Sequence, residues 1–182
     1  LCYIHKIMMQ LKFKISLLFL IINSFVFAQS NNNNLGIIPV PQNVTVKSGY
    51  FELTPKTTLL YVTSDDRKIA ELFKDLVKEK QGYELVIAKD NIHVPAEVIL
   101  FNSANANYAN SEAYVLEINQ KQITLTGSGK GVFYAMQSLT QLYLNGLDNQ
   151  QIPQCKIIDE PRYAYRGLHL DVSRHIFPIA FI

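Results

Sequence analysis

Side chains able to do chemistry gather in one stretch of the sequence, Tyr165-Arg166-Gly167-Leu168-His169-Leu170-Asp171-Val172-Ser173-Arg174-His175-Ile176-Phe177-Pro178. The apolar series Leu168, Leu170 and Val172 runs straight into Asp, Ser, Arg and His. Extended backbone alternates its side chains. His169, Asp171 and Ser173 then share one face, and Leu168, Leu170, Val172 and Arg174 the other. Either face can look inward, and the alternation ends wherever the strand ends. Polar groups crowded at the C-terminal end of a short apolar strand fit a (β/α)8 barrel, whose active site lies at that end of its strands. Pro178 suits the first turn of a following helix. A local ion pair between Arg174 and Asp171 is one role open to this part of the stretch.

No comparable cluster occurs upstream. His93 stands alone beside Pro95 and reads as a loop residue, and no His/Cys/Asp/Glu set has metal-ligand spacing. Gly127-Ser128-Gly129-Lys130-Gly131 precedes a helical pattern, as a phosphate cradle would. The phosphate-loop pattern needs Gly-Lys-Ser/Thr, and here Gly131 and Val132 follow Lys130, so this is read as a strand-to-helix turn. Cys2 and Cys155 are the two cysteines, and Cys2 lies ahead of a segment expected to be removed. A lone Cys155 gives no disulfide framework and reads as a small packed residue. No cofactor is expected.

That removable segment is an export signal. Leu1 is not a natural start, and Met8 or Met9 is a better one. Lys12 and Lys14 precede an apolar run from Ile15 to Phe27, and Val26-Phe27-Ala28 supplies a cleavage site. The run is short for a hydrocarbon core, which needs about 20 residues, so no stable membrane span is expected after cleavage. The expected location is periplasmic, cell-surface or extracellular. Residues 1–28 are read as upstream residues and signal, and residues 29–34, rich in Asn, as a linker. The formal net charge is +2, but Lys6, Lys12 and Lys14 all lie in the signal. The remainder is nearly neutral and gives no electrostatic footprint for nucleic acid.

Residues 35–160 must supply the scaffold. Ile37 to Pro41 contains two prolines and reads as an extended edge segment. Asn43–Val46 and Tyr50–Leu53 suggest a hairpin about Ser48-Gly49. Thr57–Thr63 is a strand. Ile69, Leu72, Phe73, Leu76 and Val77 recur at helical spacing, with Ser64 or Asp65 as cap and Gly82 as stop. Strands follow at Tyr83–Ala88 and Glu97–Phe101, the latter apolar enough to be central. Ala113–Ile118 and Gln122–Thr126 form a hairpin. A second helix, Val132–Leu144, buries Val132, Ala135, Met136, Leu139, Leu142 and Tyr143. Ile152–Ile158 is the last strand. The fold class is therefore α+β: an antiparallel or mixed sheet with two amphipathic helices on one face.

Glu160-Pro161-Arg162-Tyr163 and the stretch Tyr165–Pro178 resemble the start of the catalytic barrel in family 20 glycoside hydrolases, the β-N-acetylhexosaminidases. Ile38–Pro41, Glu112–Leu116 and Gly131–Leu142 resemble parts of that family's accessory domain. The resemblance implies that residues 161–182 are the first strand and helix start of a truncated (β/α)8 barrel. It implies an exo-acting enzyme releasing terminal β-linked N-acetylglucosamine or N-acetylgalactosamine from a glycan partner. The family's chemistry is substrate-assisted: the 2-acetamido oxygen attacks the anomeric carbon, a Glu protonates the leaving oxygen, and the preceding Asp orients the acetamido group. That Asp-Glu pair is expected beyond Ile182. Asp159-Glu160 precedes the barrel and is a different pair, so the chain itself is expected to be inactive. Arg174 matches the family arginine that holds sugar hydroxyls, with Asp171 and His175 as candidates to orient it. Arg166 is read as supporting the fold. The alternatives are a non-catalytic carbohydrate-binding or scaffold module, or the accessory domain of another exo-glycosidase.

Overall fold

A computed structural model describes residues 35–91, 97–104, 108–146, 150–174 and 176–181. Gly36–Ile182 is one compact unit. The expected signal, the linker, His93 and His175 lie outside the described residues.

Seven strands and two helices form the body: β1 (Asn43–Glu52), β2 (Thr58–Tyr61), α1 (Ser64–Gln81), β3 (Val86–Lys89), β4 (Val98–Asn102), β5 (Tyr114–Ile118), β6 (Gln122–Gly127), α2 (Gly129–Asn145) and β7 (Gln151–Asp159). One mixed sheet takes the order β1-β7-β5-β6-β4-β2-β3. The β6-β4-β2-β3 half is parallel, and the β1-β7-β5-β6 half is antiparallel. As expected, β4 is central and apolar, and β5 and β6 pair directly.

The core occupies one face of this sheet. Leu59, Ile99, Ile123, Ile118 and Cys155 follow one another across the paired strands, and all are fully buried. Both helices cover this face and meet edge to face through Phe73 and Tyr143, with ring centroids 5.9 Å apart. The opposite face carries Thr45, Lys156, Glu117 and Thr124, which suits a sheet solvated on one side. The connections β2-α1-β3 and β6-α2-β7 move in opposite directions across strands that point the same way. With both helices on one face the two crossovers have opposite hands, so one departs from the usual right-handed rule.

Helix α1 begins one residue before the expected caps. Thr63 is the N-cap, and its hydroxyl accepts from the Asp66 amide while Asp66 accepts from the Thr63 amide, a closed capping box. Gly82 stops the helix in the left-handed conformation, as read from sequence. Leu72 lies outside the buried stripe and is exposed. Helix α2 buries all six expected residues.

Three local expectations are corrected. The Ser48-Gly49 turn does not make a hairpin; residues 43–52 form one strand along β7, with an irregularity between Val46 and Tyr50. The neighbour is β7 because Phe51 packs opposite Ile152, where both side chains reach the core. The Ile37–Pro41 segment joins no ladder. Instead the Gln141 side chain bonds Ile38 twice, accepting from its amide at 2.8 Å and donating to its carbonyl at 3.0 Å. The apolar stretch Leu168–Val172 carries no strand pairing, and Leu168 is 96% exposed. A strand needs a neighbouring strand to take up its backbone hydrogen bonds. The edges this sheet offers are β1 and β3, and the tail pairs with neither. After Pro178 there is one 3-10 turn, Ile179–Phe181.

Candidate functional site

Strands β2, β4, β6 and β7 all finish at the same end of the sheet, where β5 and both helices begin. The chemical stretch leaves the body from this end. Its departure is fixed at two points. The first is Asp159, the last residue of β7. Its carboxylate accepts from the Tyr114 hydroxyl at 3.2 Å and from the Gln42 amide at 3.0 Å. Ser138 of α2 lies 2.7 Å from the same Tyr114 oxygen. Burial pushes the Tyr114 phenol above its ordinary range, so it stays a neutral donor. Asp159 is therefore spent on tying the end of β7 to β5 and to Gln42.

The second point is Arg166. Its Nη2 donates to Glu112 Oε2 at 2.6 Å and to the Tyr134 hydroxyl at 3.2 Å, and its Nη1 donates to the Tyr163 carbonyl at 2.6 Å. The guanidinium also lies 5.8 Å from the centre of the Tyr134 ring, within cation–π range. Glu112 and then Tyr134 hold its pKa above the ordinary arginine value. Sequence reading gave Arg166 a supporting role without its partners. Glu112 and Tyr134 are 54 and 32 residues away in sequence, and no local spacing signals the pairing.

Beyond Arg166, Arg174 and Asp171 come together. Arg174 donates from Nε at 3.0 Å and from Nη2 at 2.8 Å to the same Asp171 oxygen, Oδ2. The other oxygen, Oδ1, accepts from the Ser173 amide and hydroxyl, both at 2.9 Å. Arg174 first and Ser173 second hold the Asp171 carboxyl below its usual range. Arg174 is exposed and Asp171 half-buried, and the guanidinium keeps Nη1 outside these bonds. Ion pairing and an orienting role for Asp171 are both compatible with this geometry. Along the same stretch of sequence, Tyr163, Tyr165, Leu168 and Ile176 are exposed.

Other features are structural. Among the described residues no group of His, Cys, Asp and Glu could hold a metal ion, and no helix is long and apolar enough to cross a membrane. Cys155 is buried and its thiol is pushed up to about 11 by burial, so it is a neutral packed group. The glycine-rich turn serves close packing. A Cβ on Gly131 would meet the Ala113 carbonyl oxygen at 2.1 Å, and one on Gly127 would meet it at 2.9 Å.

A shallow cleft between the starts of α1 and α2 is lined by Asp65, Lys68, Glu112, Lys130, Phe133 and Tyr134. Two of these residues, Glu112 and Tyr134, are the Arg166 partners.

Comparison with known proteins places this architecture. The family model described as glycosyl hydrolase family 20, domain 2, matches residues 34–160. A β-hexosaminidase of Porphyromonas gingivalis is 28% identical over 156 residues, which are 81% of this chain and 20% of that protein. A β-hexosaminidase of Vibrio vulnificus is 46% identical over 66 residues, 36% of this chain and 8% of the relative. Among solved structures, the family 20 β-N-acetylhexosaminidase of Streptomyces coelicolor superposes with a TM-score of 0.66 at 26% identity, covering 79% of this chain and 30% of that one. The Flavobacterium johnsoniae chitobiase gives 0.60 at 27%, covering 84% and 25%. The chain thus spans less than a third of the length of these relatives. With its family match running through the sheet and both helices, the chain belongs to glycosyl hydrolase family 20.

Proposed function

We propose that this chain is the N-terminal part of an exported β-N-acetylhexosaminidase. The whole enzyme removes terminal β-linked N-acetylglucosamine or N-acetylgalactosamine from a glycan by substrate-assisted, retaining hydrolysis. One observation carries the reading: a body matching the family's domain 2 over residues 34–160 is followed directly by the chemical stretch. On this reading residues 1–28 direct export, residues 35–160 are the accessory domain, and residues 161–182 open the catalytic barrel.

The residues present take limited roles. Arg174 holds hydroxyls of the terminal sugar, which its planar fork of permanent donors suits. Asp171 keeps that fork in place through two bonds to one oxygen. Proton transfer to the leaving oxygen and orientation of the acetamido group belong to an Asp-Glu pair beyond Ile182. The exposure of Leu168 and Ile179 supports the barrel reading over a free-standing carbohydrate-binding module, which would leave both in water.

The coding sequence past Ile182 provides the test. It is expected to contain an adjacent Asp-Glu pair at the C-terminal end of a later strand in a β/α repeat. A stop codon, or a continuation without such a pair, would overturn the assignment.

A further inference from the structure

The tail that carries Asp171 and Arg174 has few packed neighbours, yet its departure from the body is fastened. Arg166 spends three donor contacts on doing so, two of them to groups remote in sequence. Those two groups sit on the best-braced part of the molecule. Glu112 directly precedes Ala113, whose carbonyl lies against Gly131, with no room between them for a methyl group. Tyr134 is three residues further along the same helix. Residues flanking β5 and the start of α2 therefore act as one rigid mount. The upstream end of the connecting peptide is fixed as well, because Asp159 is bonded to Tyr114 and Gln42, and Gln42 also donates to the Glu160 carbonyl at 2.8 Å. Six residues lie between Asp159 and Arg166, so both ends of a short connector are held.

We infer that Glu112 and Tyr134 are positioning residues: together with Arg166 they form a clamp that sets the direction in which the arginine-bearing segment enters the catalytic domain. The inference rests on the hexosaminidase reading for its effect on activity, but the clamp itself does not depend on that reading. A flexible tether would need no such contacts. A mount that aims Arg174 needs them, because an anchoring group displaced by about 1 Å can cost a hundredfold in rate. Neither Glu112 nor Tyr134 touches the reacting atoms; they act through Arg166.

Two readouts separate the inference from the reading beneath it. In the purified 182-residue chain, backbone 15N relaxation across Tyr163–Leu168 is measured in wild type, Glu112→Ala, Tyr134→Phe and the double variant. Glu112→Ala is expected to lower the order parameters there from near the rigid range, about 0.85, to below about 0.6. Residues of β4, β5 and β6 should stay unchanged. Equal order parameters in wild type and Glu112→Ala would overturn the clamp. A general loss of order would show that Glu112 supports the whole fold, which would overturn it too.

In the full-length protein, Glu112→Ala is expected to lower kcat/KM by about 10- to 100-fold with an unchanged melting temperature. Glu112→Asp should recover part of that loss. An active wild type with an unaffected Glu112→Ala variant would overturn the positioning role. An inactive wild type would instead refute the hexosaminidase reading, leaving the relaxation result to judge the clamp.

Discussion

Gly131 and the Ala113 carbonyl oxygen are so close that a β-carbon on the glycine would lie 2.1 Å from that oxygen. Backbone leading into β5 thus passes directly over the first turn of α2. Gly129, two residues earlier, has open space around it. Gly131→Ala is expected to destabilise by about 2–3 kcal/mol through overpacking. Gly129→Ala should be neutral or stabilising by up to about 1 kcal/mol, since alanine favours helix. Urea unfolding of the two variants checks the contrast, and equal effects would place the close contact elsewhere.

The start of α1 depends on Thr63 and Asp66. Besides closing the capping box, Asp66 Oδ2 accepts from the Ser103 amide at 3.2 Å, joining the helix to the end of β4. Thr63→Ala is expected to cost about 1 kcal/mol, the usual value of a cap. Asp66→Ala should cost more, about 2–3 kcal/mol, because it strands the Thr63 and Ser103 amides. Chemical denaturation with a shared slope is the measurement.

Cys155 should behave as an inert thiol. Burial raises its pKa to about 11, so the folded protein holds the proton more tightly than the unfolded chain does. The sign follows: this contribution to stability is present below the unfolded thiol's pKa and is lost as pH rises through about 11. Ultraviolet titration of native protein should show thiolate forming near that value. Thiol reagents at neutral pH should label Cys155 after unfolding and not before.

Asp171 titrates the other way. Arg174 and then Ser173 favour its ionised form, so the pair persists at neutral pH and breaks when pH falls below the ordinary carboxylate range. Carbon-detected NMR of the Asp171 carboxyl should show this lowered midpoint. Arg174→Ala should move the midpoint up. Because Arg174 is exposed and Asp171 only half-buried, the stability of the domain should be unaffected within about 0.5 kcal/mol.

Much of the fold was legible because burial imposes period. The stripe Val132, Ala135, Met136, Leu139, Leu142 and Tyr143 is the buried face of α2, and the apolar run of β4 marks an interior strand of the sheet. Residues 43–52 were misread because a Ser-Gly turn signal is local, whereas the choice of β7 as neighbour is a long-range packing outcome. Leu168–Val172 has a strand's composition, but composition supplies no neighbouring strand. The candidate site was legible to the same extent. Asp171 and Arg174 stand three apart and meet, as local spacing allows. Glu112 and Tyr134 were invisible as partners of Arg166, because a charge pair 54 residues apart leaves no trace in one sequence.

The most direct test of the account is hydrolysis of an aryl β-N-acetylglucosaminide, assayed side by side with the full-length protein and with the 182-residue chain. The account predicts turnover by the full-length protein and none by the shorter chain, which lacks the acid and the acetamide-orienting group. An inactive, folded full-length protein, or turnover by the pure 182-residue chain, would contradict it.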